Sequence, residues 1–269
     1  MRVANARMYA VDADAADAWR TLLRWVIDRA GVDAEVIEHP APQPLPALWA
    51  RDDLACAFMC GYPISQARTP PIVLAAPVPS LPAYGGRPDY WTNIVARSDG
   101  PVRALEDTFG RRMAYTTPDS QSGYQALRVL LAPYARERGA PLFASVVGPL
   151  VTPARVVQSV LAGDADAGPV DSYAYDLMRH HDAGAMAALA VVASTPATPI
   201  PPFVGASNLP PDEAARLRAA LLDVAAAGEL AAVRGALCLR GFATATAAKY
   251  DALREAAEAA SAMGYAALE

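Results

Sequence analysis

Segments with helix periodicity and segments with strand periodicity alternate along most of this chain. Residues 15–30 place Trp19, Leu22 and Leu23 on one helical face, and residues 34–37 follow as a short strand. Alternation of this kind predicts an α/β fold in which helices flank open, mostly parallel sheets. The composition, with 54% hydrophobic and 19% charged residues, is typical of a globular chain.

Two proline-rich stretches, residues 77–88 and 196–202, interrupt this alternation. Proline lacks an amide donor, so neither stretch continues regular structure. The two breaks predict a discontinuous arrangement in which residues 1–91 and 198–269 form lobe I and residues 92–197 form lobe II. Two hinge crossovers would then join the lobes, and a cleft between lobes is a favoured place for a ligand.

Charge and hydropathy exclude several classes of function. The net charge is -5 with a pI near 5.3, and no cluster of Lys and Arg is present, so we expect no nucleic-acid partner. No apolar run approaches the roughly 20 residues that span a bilayer. The first residues run directly into a predicted strand without an apolar signal region, so we expect either a mature form or a protein that is not exported.

The segment from Thr117 to Tyr124 predicts a turn between a strand and a helix that holds a small anion. Ser120 or Ser122 is suited to cap the helix, whose first amides have no partner within the helix. Gly123 has no Cβ, which would allow an oxyanion to approach those amides, where the helix dipole favours negative charge. The alternative is an ordinary serine-capped helix.

Other polar side chains are predicted at the ends of strands. Tyr9 ends the predicted strand of residues 3–11, and Tyr62 follows another strand, so both hydroxyls could face a ligand crevice or both rings could simply be half-buried packing. Thr152 precedes Pro153 and predicts an N-cap. Asp171 ends a buried strand, where it could cap the next helix or bind a donor group of a ligand.

Catalytic and metal-binding patterns are absent from the chain. The nucleophile elbow, the phosphate-binding loop and the dinucleotide fingerprint are not found, and nothing pairs any histidine with a nucleophile. Cys56 and Cys60 would lie about 13 Å apart on a regular strand, too far for a disulfide. No second Cys/His pair has zinc-binding spacing. We therefore predict no catalytic residue, no cofactor and no metal.

Several segments together resemble the phosphate/phosphite/phosphonate-binding family, namely residues 90–97, 105–107, 110–112, 118–124 and 160–172. Members of that family are substrate-binding proteins of ABC transporters with the type II periplasmic binding protein fold. The resemblance therefore implies two lobes, each with a sheet flanked by helices.

The resemblance also implies roles for individual residues. Ser120, Gln121 and Ser122 match the three positions of a Ser-Thr-Ser-type turn that wraps the phosphonate oxygens. Tyr90 matches a tyrosine that lines the site, Tyr9 matches another, and Asp171 matches an acidic residue that contacts the amine of aminophosphonates. The chain departs from the family pattern at two places. Gln121 replaces the central hydroxyl residue of the turn, and Thr152 lies where family members carry a histidine.

Together these observations predict a monomeric solute-binding protein. It would close two lobes on a small anionic ligand and pass it to an ABC transporter permease in the periplasm. The alternative is a cytosolic enzyme or ligand sensor of the same fold.

Overall fold

The computed structural model describes residues 1–269 and shows a mixed α/β protein. Its strands are, in chain order, β1 (Arg2–Asn5), β2 (Ala34–Val36), β3 (Leu54–Phe58), β4 (Ile72–Pro79), β5 (Asp89–Tyr90), β6 (Thr92–Arg97), β7 (Arg112–Ala114), β8 (Ser145–Val147), β9 (Ala167–Asp171), β10 (Leu189–Ser194), β11 (Thr198–Pro199), β12 (Phe203–Gly205) and β13 (Leu239–Ala243). Its α-helices are α1 (Ala13–Ala30), α2 (Leu45–Trp49), α3 (Gly61–Gln66), α4 (Ala126–Arg138), α5 (Pro153–Ala162), α6 (Ser172–His181), α7 (Ala183–Met186), α8 (Pro211–Asp223), α9 (Ala231–Ala236) and α10 (Asp251–Ala262). No helix combines the length and the apolar character that a membrane span requires.

These elements form two compact units. Unit 1 contains Met1–Asp89 and Pro199–Asp251, and unit 2 contains Tyr90–Thr198 and Ala252–Glu269. The chain therefore passes from one unit to the other three times, and its last segment belongs to unit 2.

Unit 1 is built on a six-stranded sheet with the order β13-β4-β12-β3-β1-β2. Strand β1 is parallel to β2 and β3, whereas β12 is antiparallel to β3 and β4. Aromatic rings hold helix α1 to this sheet: Trp19 stands edge-on to Phe58 at 5.0 Å between ring centroids, and Phe58 stacks on Phe203 at 3.8 Å. The apolar face predicted for residues 15–30 thus covers the sheet of unit 1.

Unit 2 is built on a five-stranded sheet with the order β10-β6-β9-β7-β8. Strand β7 is parallel to β8 and β9, and β6 is antiparallel to β9 and β10. Its core includes Ile94, Met113, Leu127 and Leu131, all fully buried, so helix α4 covers one face of this sheet.

Both sheets are mixed, with a parallel part next to an antiparallel part. The parallel part is β2-β1-β3 in unit 1 and β9-β7-β8 in unit 2. The strands β6 and β12 follow directly after a passage between the units, and both run antiparallel to their neighbours. Local periodicity does not encode strand direction, which is why the sequence predicted sheets that are more uniformly parallel.

The segment Ala252–Glu269 departs from the expected boundary, which placed the whole C-terminal part in lobe I. Arg128 of α4, only 3% exposed, donates from Nη1 to Ser261 Oγ at 3.0 Å and to the carbonyl oxygen of Tyr265 at 2.7 Å. Its Nη2 donates to the carbonyl oxygen of Ala257 at 2.8 Å. An alanine-rich helix carries no local signal for its partner, so long-range contacts such as these assign the segment to unit 2.

We expect Arg128→Met to lower the free energy of unfolding by about 3 kcal/mol, because all four acceptors of the guanidinium lose this donor. Urea denaturation would measure the loss. The matched control is Arg155→Met, which removes an exposed arginine from the same unit and should change stability by less than about 0.5 kcal/mol. Equal effects of the two substitutions would contradict the structural role of Arg128.

Candidate ligand site

One edge of the unit 2 sheet collects the N-termini of three helices. The parallel strands β7, β8 and β9 all end at this edge, and each leads through a short loop into a helix. Those helices begin at Gln121, Pro153 and Ser172. The first amides of each have no acceptor within the helix, so this edge carries partial positive charge.

The turn after β7 begins its helix with a π turn, Gln121–Gln125, before α4 continues. Ser120 is the N-cap: its Oγ accepts a hydrogen bond from the amide of Gly123 at 3.0 Å, and its carbonyl accepts from the amide of Gln125 at 3.0 Å. The cap predicted for Ser120 or Ser122 is therefore confirmed at Ser120. The wider π turn leaves more amides at the start of the helix without an intrahelical partner than an α turn would.

Gly123 is required by packing inside unit 2. A Cβ at this position would lie 1.8 Å from Oγ1 of Thr116, which is itself 3% exposed. The amide of Thr116 donates to the carbonyl oxygen of Gly123 at 3.2 Å. The turn therefore packs directly against Thr116. This contact explains why position 123 is a glycine, and the sequence did not predict it.

Gln121 and Ser122 are almost entirely buried, at 4% and 6% exposure. Oγ1 of Thr92, the first residue of β6, donates to the carbonyl oxygen of Ser122 at 2.9 Å. The side-chain Oε1 of Gln121 is buried without a hydrogen-bond partner. Sequence reasoning missed Thr92, because its role depends on β6 lying beside β9, where Thr92 is paired with Asp171.

Thr152 and Asp171 both act as helix caps at this edge. Oγ1 of Thr152 accepts from the amide of Arg155 at 3.3 Å. Asp171 is 5% exposed, and its Oδ1 accepts from the amides of Tyr173 and Ala174 at 2.8 and 2.9 Å. The capping prediction is confirmed for both residues, while a ligand contact by Asp171 stays a prediction.

The loop before Thr152 is tied to the Ser120 turn through Thr116. The amide of Val151 donates to the carbonyl oxygen of Thr116 at 3.1 Å, while Thr116 donates to Gly123 on its other side. Val151 has a positive φ of 71°, which is rare for a β-branched residue. Thr116 therefore connects two of the three capped helix starts.

Tyrosines Tyr9 and Tyr62 belong to unit 1, and Tyr90 begins unit 2. The expected strand of residues 3–11 ends at Asn5, because the Asn5 side chain accepts from the amide of Arg7 and turns the chain. Tyr9 therefore lies in a 3-10 turn, is 1% exposed and stands edge-on to Phe58 at 5.0 Å. The prediction that its hydroxyl lies at the end of a strand is therefore wrong.

The other two tyrosines differ in exposure. Tyr62 is half-buried in helix α3, where its carbonyl oxygen accepts from Ser65 Oγ at 2.7 Å. Tyr90 is 1% exposed in strand β5. The structure thus brings Ser120, Gln121, Ser122, Gly123, Thr152 and Asp171 to one edge of the unit 2 sheet, and the ligand contacts of the three tyrosines stay predictions.

Solved structures of other proteins share the fold of this chain. A binding protein component of an ABC phosphonate transporter from Pseudomonas aeruginosa matches with a TM-score of 0.80 at 17% identity, covering 98% of this chain and 88% of that one. PhnD1 from Prochlorococcus marinus, solved in complex with methylphosphonate, matches with a TM-score of 0.74 at 15% identity, covering 96% and 97%. A Xanthomonas citri protein solved bound to ATP matches with a TM-score of 0.64 at 17% identity, covering 98% of both chains. The predicted type II periplasmic binding protein fold is confirmed.

A sequence model of one family, described as ABC transporter, phosphonate, periplasmic substrate-binding protein, matches residues 10–250. The protein belongs to this family. Its members are periplasmic and bind a small molecule for an ABC transporter, which implies a permease as partner. Among curated proteins no match to the chain is found.

We expect Gly123→Ala to destabilise the protein by about 3 kcal/mol, because the new Cβ has no room beside Thr116. Thermal and urea unfolding would measure the effect. The matched control is Gly235→Ala in helix α9, where a Cβ meets nothing within 4 Å. That substitution should stabilise by about 0.5–1 kcal/mol through helix propensity, and equal losses at both glycines would refute the packing argument.

Proposed function

We propose that this protein binds a phosphonate or phosphate-like oxyanion at the turn Ser120-Gln121-Ser122-Gly123 and supplies it to an ABC permease. The observation that carries the proposal is the π turn Gln121–Gln125 at the start of α4, whose first amides have no acceptor within the helix and of which that of Gly123 is bonded to the Ser120 cap. The N-terminus of α5 lies at the same sheet edge and favours an anion in the same way, whereas the first amides of α6 are already bonded to the carboxylate of Asp171. The relative solved with methylphosphonate supports this class of ligand.

Hydroxyl groups at this edge add hydrogen-bond donors. Ser120 Oγ and Thr152 Oγ1 each accept a hydrogen bond from one backbone amide. This bond uses a lone pair of the oxygen, so the hydroxyl proton can still donate. A phosphonate group has three oxygens that accept such bonds. Capping and ligand binding are therefore compatible roles for the same side chains.

The side chains of Gln121 and Asp171 affect which oxyanion the site would prefer. Gln121 brings an amide to the centre of the turn where the family pattern has a hydroxyl, and an amide can donate to one group while accepting from another. Asp171 would favour a ligand that carries an amine. We propose an aminoalkylphosphonate as the second candidate ligand, on the strength of this carboxylate.

We propose that the protein acts as a monomer, without nucleic acid, in the periplasm. The net charge of -5 supports the absence of a polyanionic partner. Closure of two lobes on the ligand stays a prediction, and small-angle scattering with and without ligand would measure it. Cell fractionation separates this setting from the alternative, a cytosolic enzyme or ligand sensor.

A thermal-shift screen tests the ligand class. The panel contains phosphate, phosphite, methylphosphonate, 2-aminoethylphosphonate and sulfate. A ligand at about 100 times its Kd stabilises the folded state by about 2.7 kcal/mol, which raises the melting temperature clearly. The absence of a shift with every oxyanion would overturn the proposal, and ligand turnover during incubation would favour an enzyme.

We expect Ser122→Ala to weaken oxyanion binding about 10-fold, the loss of roughly one hydrogen bond to a charged ligand, with little loss of stability. Ser122 takes part in the turn through its carbonyl oxygen, which the substitution retains. Calorimetric titration gives the affinity, with the exposed Ser145→Ala as matched control. Retained affinity in a strongly destabilised Ser122→Ala protein would make the hydroxyl structural.

A further inference from the structure

A chain of hydrogen bonds leads from the C-terminal segment to the ligand turn. Nε2 of Gln125 donates to the carbonyl oxygen of Pro118 at 2.6 Å. The Oε1 of the same amide accepts from Nε of Arg128 at 2.9 Å. The remaining donors of Arg128 reach the segment Ala252–Glu269 through Ala257, Ser261 and Tyr265.

All the hydrogen-bond partners of this guanidinium are neutral. Gln125 and Arg128 are 7% and 3% exposed, and no carboxylate is among the acceptors of Arg128. A buried charge is costly unless it is well solvated by the protein. The helix that begins at the ligand turn therefore holds a full positive charge about two turns from its start, in a low-dielectric interior where its field is weakly screened.

The same chain of bonds orients the backbone of the turn. A peptide carbonyl carries partial negative charge, and the Pro118 carbonyl lies just before the cap at Ser120. Gln125 holds this oxygen against the body of the helix. Because the peptide unit is planar and trans, the amide of Asp119 is then directed the opposite way. A turn without this bond could rotate the carbonyl toward the open amides, where it would compete with an anion.

We propose that Gln125 and Arg128 are positioning residues for oxyanion binding, and that the C-terminal segment takes part in the ligand site through them. The inference rests on the proposed function of the turn. Gln125 keeps the Pro118 carbonyl away from the ligand, and Arg128 holds the Gln125 amide in the orientation that donates. Arg128 also supplies a fixed positive charge behind the turn.

Gln125→Glu tests this arrangement with the smallest change of shape. The new carboxylate still accepts from Arg128, so the buried guanidinium stays paired, and the charged form is favoured by that neighbour. It cannot donate to the Pro118 carbonyl, and it neutralises the charge of Arg128. We expect oxyanion affinity to fall about 10- to 100-fold, the loss of one or two charge-linked interactions, while the melting temperature stays near that of the wild type.

Gln158→Glu is the matched control, because it makes the same substitution at an exposed position of α5 in the same unit. Affinity is measured by calorimetric titration with methylphosphonate, phosphate and sulfate. Amide NMR of the ligand-free proteins gives a second readout: the resonances of Asp119 to Gly123 should shift in Gln125→Glu and stay in place in Gln158→Glu.

The outcomes separate this inference from the proposed function. The inference is overturned if the oxyanion affinity of Gln125→Glu lies within twofold of that of Gln158→Glu and the amide resonances of the turn do not shift. A wild-type protein that binds no oxyanion overturns the proposed function, and the NMR comparison still decides whether Gln125 orients the turn. Should Gln125→Glu not fold, Gln125→Met, which also lacks the donor, replaces it and is held to the same two readouts.

Discussion

The buried guanidinium of Arg128 is the interaction on which unit 2 depends. Burying an arginine without a carboxylate requires that neutral oxygens replace its hydration. Here three of those oxygens come from the last segment of the chain and one from the helix that carries the ligand turn. The C-terminal segment is therefore part of the unit 2 core, and the start of the ligand helix is linked to it by hydrogen bonds rather than by apolar contact alone.

The ligand turn combines two requirements in the same few residues. Ser120 caps the helix through a lone pair of its hydroxyl, and Gly123 allows the turn to lie directly on Thr116. The cap uses the amide of Gly123 but leaves the hydroxyl proton of Ser120 able to donate to an anion. The same serine can therefore cap the helix and bind an oxyanion, because its hydroxyl accepts one hydrogen bond and donates another.

Local features of this site could be predicted because they depend on neighbouring residues. The caps at Ser120 and Thr152 and the capping role of Asp171 follow from short-range bonds between a side chain and amides two or three residues later. Tyr9 was misplaced because the Asn5 side chain ended the strand early. Thr92 and Thr116 were missed because each meets the turn only through strand pairing or loop contacts between distant parts of the chain.

The sequence by itself determined the α/β class, the capped helix starts and the serine-rich turn of a phosphonate-type substrate-binding protein. These depend on periodicity and on interactions within one helical turn, which neighbouring residues encode. Only the tertiary structure decided the direction of β6 and β12, the place of Ala252–Glu269 in unit 2, and the bonds from Arg128 to that segment. Those features depend on which surfaces meet after the chain folds, and hydrogen-bonding partners more than a hundred residues apart leave no local pattern in the sequence.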